Sequence, residues 1–181
     1  MAEFRLETER LVLREWREED VAALQRICAD PVVMRFIGPP QSLGEVREGI
    51  ERQRAYQREV GHCYWALERR SDRALLGFCG LQPEPPGTPF ADQPDIGWRL
   101  ASAAWGQGYA HEAASAVLDW GWQHLPGNSI WAVTVPANTR SWRLMQRLGM
   151  RRRPQFDFDH PNVRLGNPLR AHISYEARRP A

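Results

Sequence analysis

Strand-like and helix-like segments alternate only in the second half of this chain, and that asymmetry constrains the fold more than any other feature. Asp95 to Leu100 (DIGWRL) reads as a strand, followed by a helical pattern from Ala110 to His124. Its small and apolar residues recur at 110, 113, 114, 117, 118, 121 and 125. Ser129 to Val135 predicts a further strand, Thr139 to Leu148 a helix ending at Gly149, and His172 to Ala177 a last strand after an irregular stretch. The first half is built differently. Arg10 to Glu15 predicts an opening strand, and Val21 to Cys28 a helix with acids at its positive end, stopped by Asp30-Pro31. Ser42 and Glu45 have the S-x-x-E capping spacing for a helix running to about Glu59 and closed by Gly61. Cys63 to Glu68 and Leu75 to Leu81 read as a hairpin, and five prolines between 83 and 94 predict an exposed loop, either a connector or a carrier of substrate contacts. The expected class is α/β with one mixed sheet flanked by helices, not a doubly wound sheet, in a single domain over residues 1–181.

Composition removes several kinds of chemistry. All 24 basic residues are arginine, so Schiff-base catalysis and the lysine of a phosphate-binding P-loop are excluded. A net charge of +2 gives little long-range attraction for a polyanion, and nucleic acid is not an expected partner. Three cysteines without CxxC spacing suggest buried thiols and neither a zinc ribbon nor a disulfide framework; no metal is expected. No apolar run approaches membrane-spanning length, and MAEFRLETERLVLREW lacks the core of a signal peptide, so a cytoplasmic protein without membrane association is expected.

The segment Trp105-Gly106-Gln107-Gly108-Tyr109-Ala110 lies between a predicted strand and a helix of small residues. Glycines let successive backbone N–H groups face one point, and the helix beyond adds its positive end, a combination suited to a pyrophosphate. The alternative is a plain glycine turn joining strand to helix. His111 stands where a dinucleotide fingerprint needs its third glycine, which disfavours nicotinamide cofactors. Gly97 inside a strand marks a bulge or a close backbone approach. Asn138 opens the helix carrying Ser141, Leu144 and Leu148.

Three segments, TERLVLREWREEDV at 8 to 21, DIGWRLASAAWGQGYAHEA at 95 to 113 and NTRSWRLMQRLGM at 138 to 150, resemble the GNAT acyl-CoA N-acyltransferases. Within them, the chain is similar to the branch of ribosomal-protein N-terminal acetyltransferases (RimJ/RimL-like). The resemblance implies a GNAT fold with splayed strands forming an acyl-CoA cleft and acetyl-CoA as cosubstrate. Its pyrophosphate would lie on residues 105 to 110, where Gly108 and Ala110 match the family's loop and Trp105 replaces the usual Gln or Arg. It implies that the strand at 95–100 splays from that at 129–135, with Gly97 at a bulge and the pantetheine arm pairing with backbone near Arg99 and Leu100. Asn138 would bind that arm or cap its helix.

The implied reaction is direct acetyl transfer to a primary amine, with no cysteine as acyl carrier. Met145 occupies the position where many members have a tyrosine acid, leaving Ser141 as the candidate donor to the thiolate. Asp95, Asp157, Asp159 and His160 are the candidate bases, with a turn before Pro161 as the alternative for Asp159 and His160. Arg151, Arg152 and Arg153 form either a solvated face or a phosphate contact, and most tryptophans are expected in the core. The acceptor would be a protein N-terminus or a small-molecule amine, selected by residues 42–59, the proline loop and 154–170; a homodimer is plausible for the branch. A CoA-binding module with little turnover is the alternative.

Overall fold

The computed structural model describes residues 3–180. One face of its sheet is covered by α1 (Asp20–Cys28), α2 (Pro31–Met34) and α3 (Leu43–Val60), the other by α4 (Tyr109–His124) and α5 (Thr139–Arg147). The strands are β1 (Arg5–Glu7), β2 (Leu11–Arg14), β3 (Tyr64–Arg69), β4 (Leu75–Pro83), β5 (Pro94–Leu100), β6 (Ser129–Thr134), β7 (Arg151–Arg152), β8 (Phe158–Asp159) and β9 (Ala171–Arg178). Their order is β1-β2-β3-β4-β5-β6-β9-β7, with β8 also paired to β9. Every described pairing is antiparallel except β5–β6, so the sheet is mixed, as the alternation in the second half predicts.

Several local signals act as read. Ser42 Oγ accepts from Glu45 N–H at 3.3 Å while Glu45 Oε2 accepts from Ser42 N–H at 2.8 Å, closing the capping box of α3. Gly61 ends that helix in the left-handed conformation at φ 79°. Asp30-Pro31 closes α1 as read, since Cys28 is its last residue, and the pair also starts α2: the Asp30 side chain accepts from Val32 N–H at 2.8 Å and Pro31 occupies the first turn. One reading is corrected. The proline loop is shorter than expected, because Pro83 pairs with Pro94 and Glu84 N–H donates to Gln93 C=O at 2.9 Å, prolonging the β4–β5 hairpin.

The larger core, around Trp65, Leu81, Val117 and Ile130, lies under α4 and α5, and a smaller one, around Trp16, Met34 and Ile50, lies under α1–α3. Alternating strand residues divide between them. At the smaller core, Arg14 of β2 is 4% exposed and grips both oxygens of Asp20 at 2.7 and 2.9 Å and Glu68 Oε2 at 3.0 Å. This buried triad ties β2 to α1 and β3. Arg14→Met should strand two buried carboxylates, costing about 3–5 kcal/mol and lowering Tm by roughly 10 °C in a thermal melt.

Candidate functional site

Strands β5 and β6 touch at a single register pair, Asp95 with Trp131, and diverge beyond it. Antiparallel neighbours alternate between hydrogen-bonded and non-bonded pairs. The bonds Glu84 N–H to Gln93 C=O and Ala101 N–H to Leu76 C=O set that alternation along β4–β5. Asp95, Gly97 and Arg99 therefore direct their backbone to β4, while Trp98 and Leu100 turn theirs toward the departing β6. The Leu100 carbonyl accepts Trp105 Nε1–H at 2.9 Å. The backbone of Arg99 is thus engaged with β4, and the expectation of pairing there moves to Trp98 and the Leu100 N–H.

Gly97 has a different reason from the one expected. The β4–β5 register is unbroken from Gly77↔Leu100 to Pro83↔Pro94, so β5 has no bulge; the irregularity lies between β3 and β4, where Leu76 is the extra residue. A Cβ on Gly97 would lie 2.6 Å from Tyr64 Cζ and 2.7 Å from its hydroxyl. The tyrosine ring occupies the space that the glycine leaves.

At the end of β5 the chain passes through a short 3-10 turn (Ser102–Ala104) into Gly106 (φ 75°) and Gly108 (φ 82°), then α4. Among the described residues, the N–H groups from Gly106 to His111 donate to no protein acceptor; the first bond of α4 runs from Glu112 N–H to Gly108 C=O at 3.0 Å. No side chain caps α4, unlike α2 and α3. Six N–H groups at the positive end of the α4 dipole are therefore left without a protein partner. Arg10 anchors the loop, donating to Gln107 C=O at 3.0 Å and Glu112 Oε2 at 2.6 Å, and lies 4.7 Å from the centre of the buried Tyr109 ring. Ala110 is half-buried in the first turn.

Sequence reasoning missed Arg140. Its guanidinium lies 4.6 Å from the centre of the Trp105 ring, placing an exposed cation beside the loop where the family usually has Gln or Arg. The only available signal was its place after Asn138. Asn138 does not cap α5: its amide donates to Thr134 Oγ1 at 3.1 Å. Ser141 is half-buried in the first turn, and its hydroxyl has no partner among the described residues. Met145 is 1% exposed in the core.

The candidate bases separate into two environments. Asp95 is 5% exposed, accepts the Tyr64 hydroxyl through Oδ2, and leaves Oδ1 buried without a partner among the described residues. Burial and the neighbouring Glu84 carboxylate push its pKa well above the carboxylate range. Burial likewise raises Glu84, 3% exposed, to about 7. Tyr64 and Glu84 were not singled out from sequence, since neither belongs to a short-range motif.

Asp157, Asp159 and His160 lie elsewhere. Asp157 is ion-paired to Arg152 and accepts Ser174 N–H at 3.0 Å, and exposed Asp159 pairs with Arg170 at 3.1 Å. His160 packs 5.0 Å from His172, accepts Asn162 N–H on Nδ1 at 3.2 Å, and has its pKa lowered by burial, His172 and Arg170. They are separated from Asp95 by the stack Trp131–Phe90 (4.6 Å) and the edge contact Phe90–Phe158 (5.7 Å). In the basic run, Arg152 pairs with Asp157 and Arg153 with Glu176 at 2.7 Å, so these two neutralise internal acids and the phosphate alternative is withdrawn for them.

Residues 10–151 match the family model described as the acetyltransferase (GNAT) domain. YkkB of Bacillus subtilis is 30% identical over 152 residues, covering 82% of this chain and 86% of that protein. A GNAT-family acetyltransferase from Bacillus anthracis superposes with a TM-score of 0.79 at 24% identity, covering 97% of this chain and 98% of that one. The ribosomal L7/L12 alpha-N-protein acetyltransferase RimL, in complex with coenzyme A, superposes with a TM-score of 0.78 at 14% identity, with 97% and 98% covered. The mixed sheet split between parallel strands is thus an acyltransferase architecture, and the chain belongs to the GNAT acetyltransferase family. Enzymes of this family use acetyl-CoA. Among the described residues no helix is long and apolar enough to cross a membrane, and no cluster of three or more His, Cys, Asp or Glu could hold a metal.

A carboxyl whose pKa is raised by folding binds its proton more tightly in the native state, so its stabilising contribution is complete below the unfolded pKa and is lost as pH rises through the folded one. For Glu84 that window runs from about 4.5 to about 7. The protein should therefore lose several degrees of Tm between pH 5 and 8, and Glu84→Gln should flatten much of that slope.

Proposed function

We propose that this chain transfers the acetyl group of acetyl-CoA directly to a primary amine, with the cosubstrate held in the gap between β5 and β6. The observation that carries this reading is the presence of two sets of unpaired backbone groups at the same end of β5: those of Trp98 with the Leu100 N–H, and the six N–H groups from Gly106 to His111. A pyrophosphate satisfies the second set, and an extended pantetheine arm satisfies the first as an added strand would. The residues present therefore fit acyl-CoA. Arg140, docked on Trp105, supplies the charge that the loop itself lacks, and Asn138 offers its amide oxygen to the arm.

Asp95 is the base these surroundings favour over Asp159 and His160. Its bare Oδ1 stands at the point of strand separation, and Tyr64 fixes the opposite oxygen. Asp95 takes the amine proton, leaving a lone pair on nitrogen to attack the thioester carbon; an outward N–H of β5 steadies the oxyanion. The C–S bond then breaks, the nitrogen gives up its second proton, and Ser141 passes that proton to the departing sulfur, while Asp95 returns the first to solvent. The products are an amide and free CoA, with no acyl group passing through a cysteine. Cys63 and Cys79 are buried with pKa values pushed above the thiol range by burial.

RimL's action on a ribosomal protein N-terminus makes such a terminus one acceptor to try, beside small-molecule amines. One observation favours a second reading, a CoA-binding module with little turnover: the family's tyrosine position holds Met145, buried in the core.

Thiol release from acetyl-CoA across amines tests the proposal; tight CoA binding with no release for any amine would select the second reading. Asp95→Asn should lower kcat/KM by about 10²–10⁴-fold. In the wild type, kcat/KM should rise with pH through a pKa above the ordinary carboxylate range, because the base works only when deprotonated, and the variant should lose that rise. Arg140→Ala should raise KM for acetyl-CoA roughly tenfold with kcat little changed, the pattern of a contact made equally in ground and transition states.

A further inference from the structure

Asp95, Gly97 and Arg99 share the face of β5 that looks toward α1–α3, because strand side chains alternate. A continuous row runs along that face. Tyr64 bonds Asp95 and fills the space over Gly97, its ring stacks on Phe78 at 5.4 Å, and the Arg99 guanidinium lies 5.2 Å from the Phe78 ring centre. Beyond the ring, Arg99 Nη1 donates to Cys28 Sγ at 3.1 Å and to Gln41 Oε1 at 3.2 Å.

Both acceptors are neutral, and the thiol is a weak one. Among the described residues Arg99 forms no ion pair, although buried Arg14 grips two carboxylates and Arg153 another. Its Nε–H is buried with no acceptor at all. A permanently charged guanidinium with a buried empty donor is costly unless something satisfies it, and a carboxylate does so through two parallel bonds. The thioester would reach the separation of β5 and β6 from the α4 side, which leaves the α1–α3 face for the acceptor.

We propose that Arg99 binds an anionic group on the acceptor, so that the natural substrate is an amine carrying a carboxylate, its nitrogen directed toward Asp95. This rests on the acetyl-transfer reading above. Four strand steps separate the two Cα atoms by about 13 Å, which suits an amine and carboxylate several bonds apart, as in a dipeptide or an ω-amino acid. An amine phosphate offers the same anionic oxygens.

The test is calorimetric titration of the CoA-saturated protein, which cannot react, with matched amines: Ala-Ala and its C-terminal amide, 6-aminohexanoate and hexylamine, glucosamine 6-phosphate and glucosamine. The wild type should bind the anionic member of the carboxylate pairs at least tenfold more tightly. Arg99→Met should abolish that preference while keeping or raising Tm, since a half-buried cation with no ion pair and an empty buried N–H is exchanged for an apolar side chain of similar length. Arg99→Lys, which keeps the charge without the fork, should retain part of it and serves if the methionine variant fails to fold. A preference confined to the phosphate pair would make phosphate the anion source. Equal binding within every pair, no binding by any anionic member, or a preference that survives Arg99→Met would overturn the inference. Failure of the acetyl-transfer reading would appear earlier, as no heat on adding CoA to the free protein, and would remove this inference with it.

Discussion

A sheet that splits between two parallel strands leaves backbone hydrogen-bonding groups without partners, and the rest of the site is organised around that deficit. β5 is fully paired to β4 on one edge and meets β6 only at Asp95 on the other. Past that point half of its backbone faces a gap. The chain then turns through two glycines in the left-handed region and begins α4 without a side-chain cap, adding six more unpaired N–H groups at the same end. Among the other helices, α3 has a complete capping box and α2 an aspartate cap, α1 and α5 start without a side-chain cap, and Arg179 closes the end of α4 on the Leu125 and Gly127 carbonyls. What sets the α4 start apart is that its unpaired N–H groups follow two glycines in the left-handed region, in the segment that resembles the family's acyl-CoA loop.

The two faces of β5 divide the work. Ile96, Trp98 and Leu100 turn into the larger core beneath α4, which holds the glycine loop against a rigid support. Asp95 and Arg99 turn to the other face, where polar groups are buried without full compensation: an empty carboxylate oxygen at one end and an empty guanidinium N–H at the other. Tyr64 and Phe78 together span the distance between them, and the position of Tyr64 depends on the absence of a side chain at Gly97. Such unsatisfied groups cost stability, and they lie together on one face of one strand.

Much of this was legible in the sequence. The spacing of Ser42 and Glu45, the glycines at 106 and 108, and the helical face from Ala110 to Leu125 are local patterns, and local physics decides them. What escaped depends on partners far along the chain. The reason for Gly97 is Tyr64, thirty-odd residues earlier, brought there by strand pairing. Which β5 residues offer free backbone depends on a parity that only the register reveals, so Arg99 and Trp98 exchanged roles. Asp30-Pro31 was legible as the stop of α1, but that the same pair starts a further turn, with proline behind an aspartate cap, was not. Asp95 was visible as a carboxylate at a strand start, but its burial beside Glu84, and hence its displaced pKa, comes only from the hairpin that the two flanking prolines close.

The central claim is that acyl-CoA completes the backbone left open at the β5–β6 split and the α4 N-terminus. Amide-resolved NMR of the ¹⁵N-labelled protein, titrated with CoA and, in parallel, with NAD and ATP, tests it most directly. The account predicts that CoA moves the amides of Gly106 to His111 together with those of Trp98 and Leu100, with the Arg99 amide much less affected and NAD without effect on the β5 pair. CoA-induced shifts that miss both segments, or a response at Arg99 in place of its two neighbours, would contradict it.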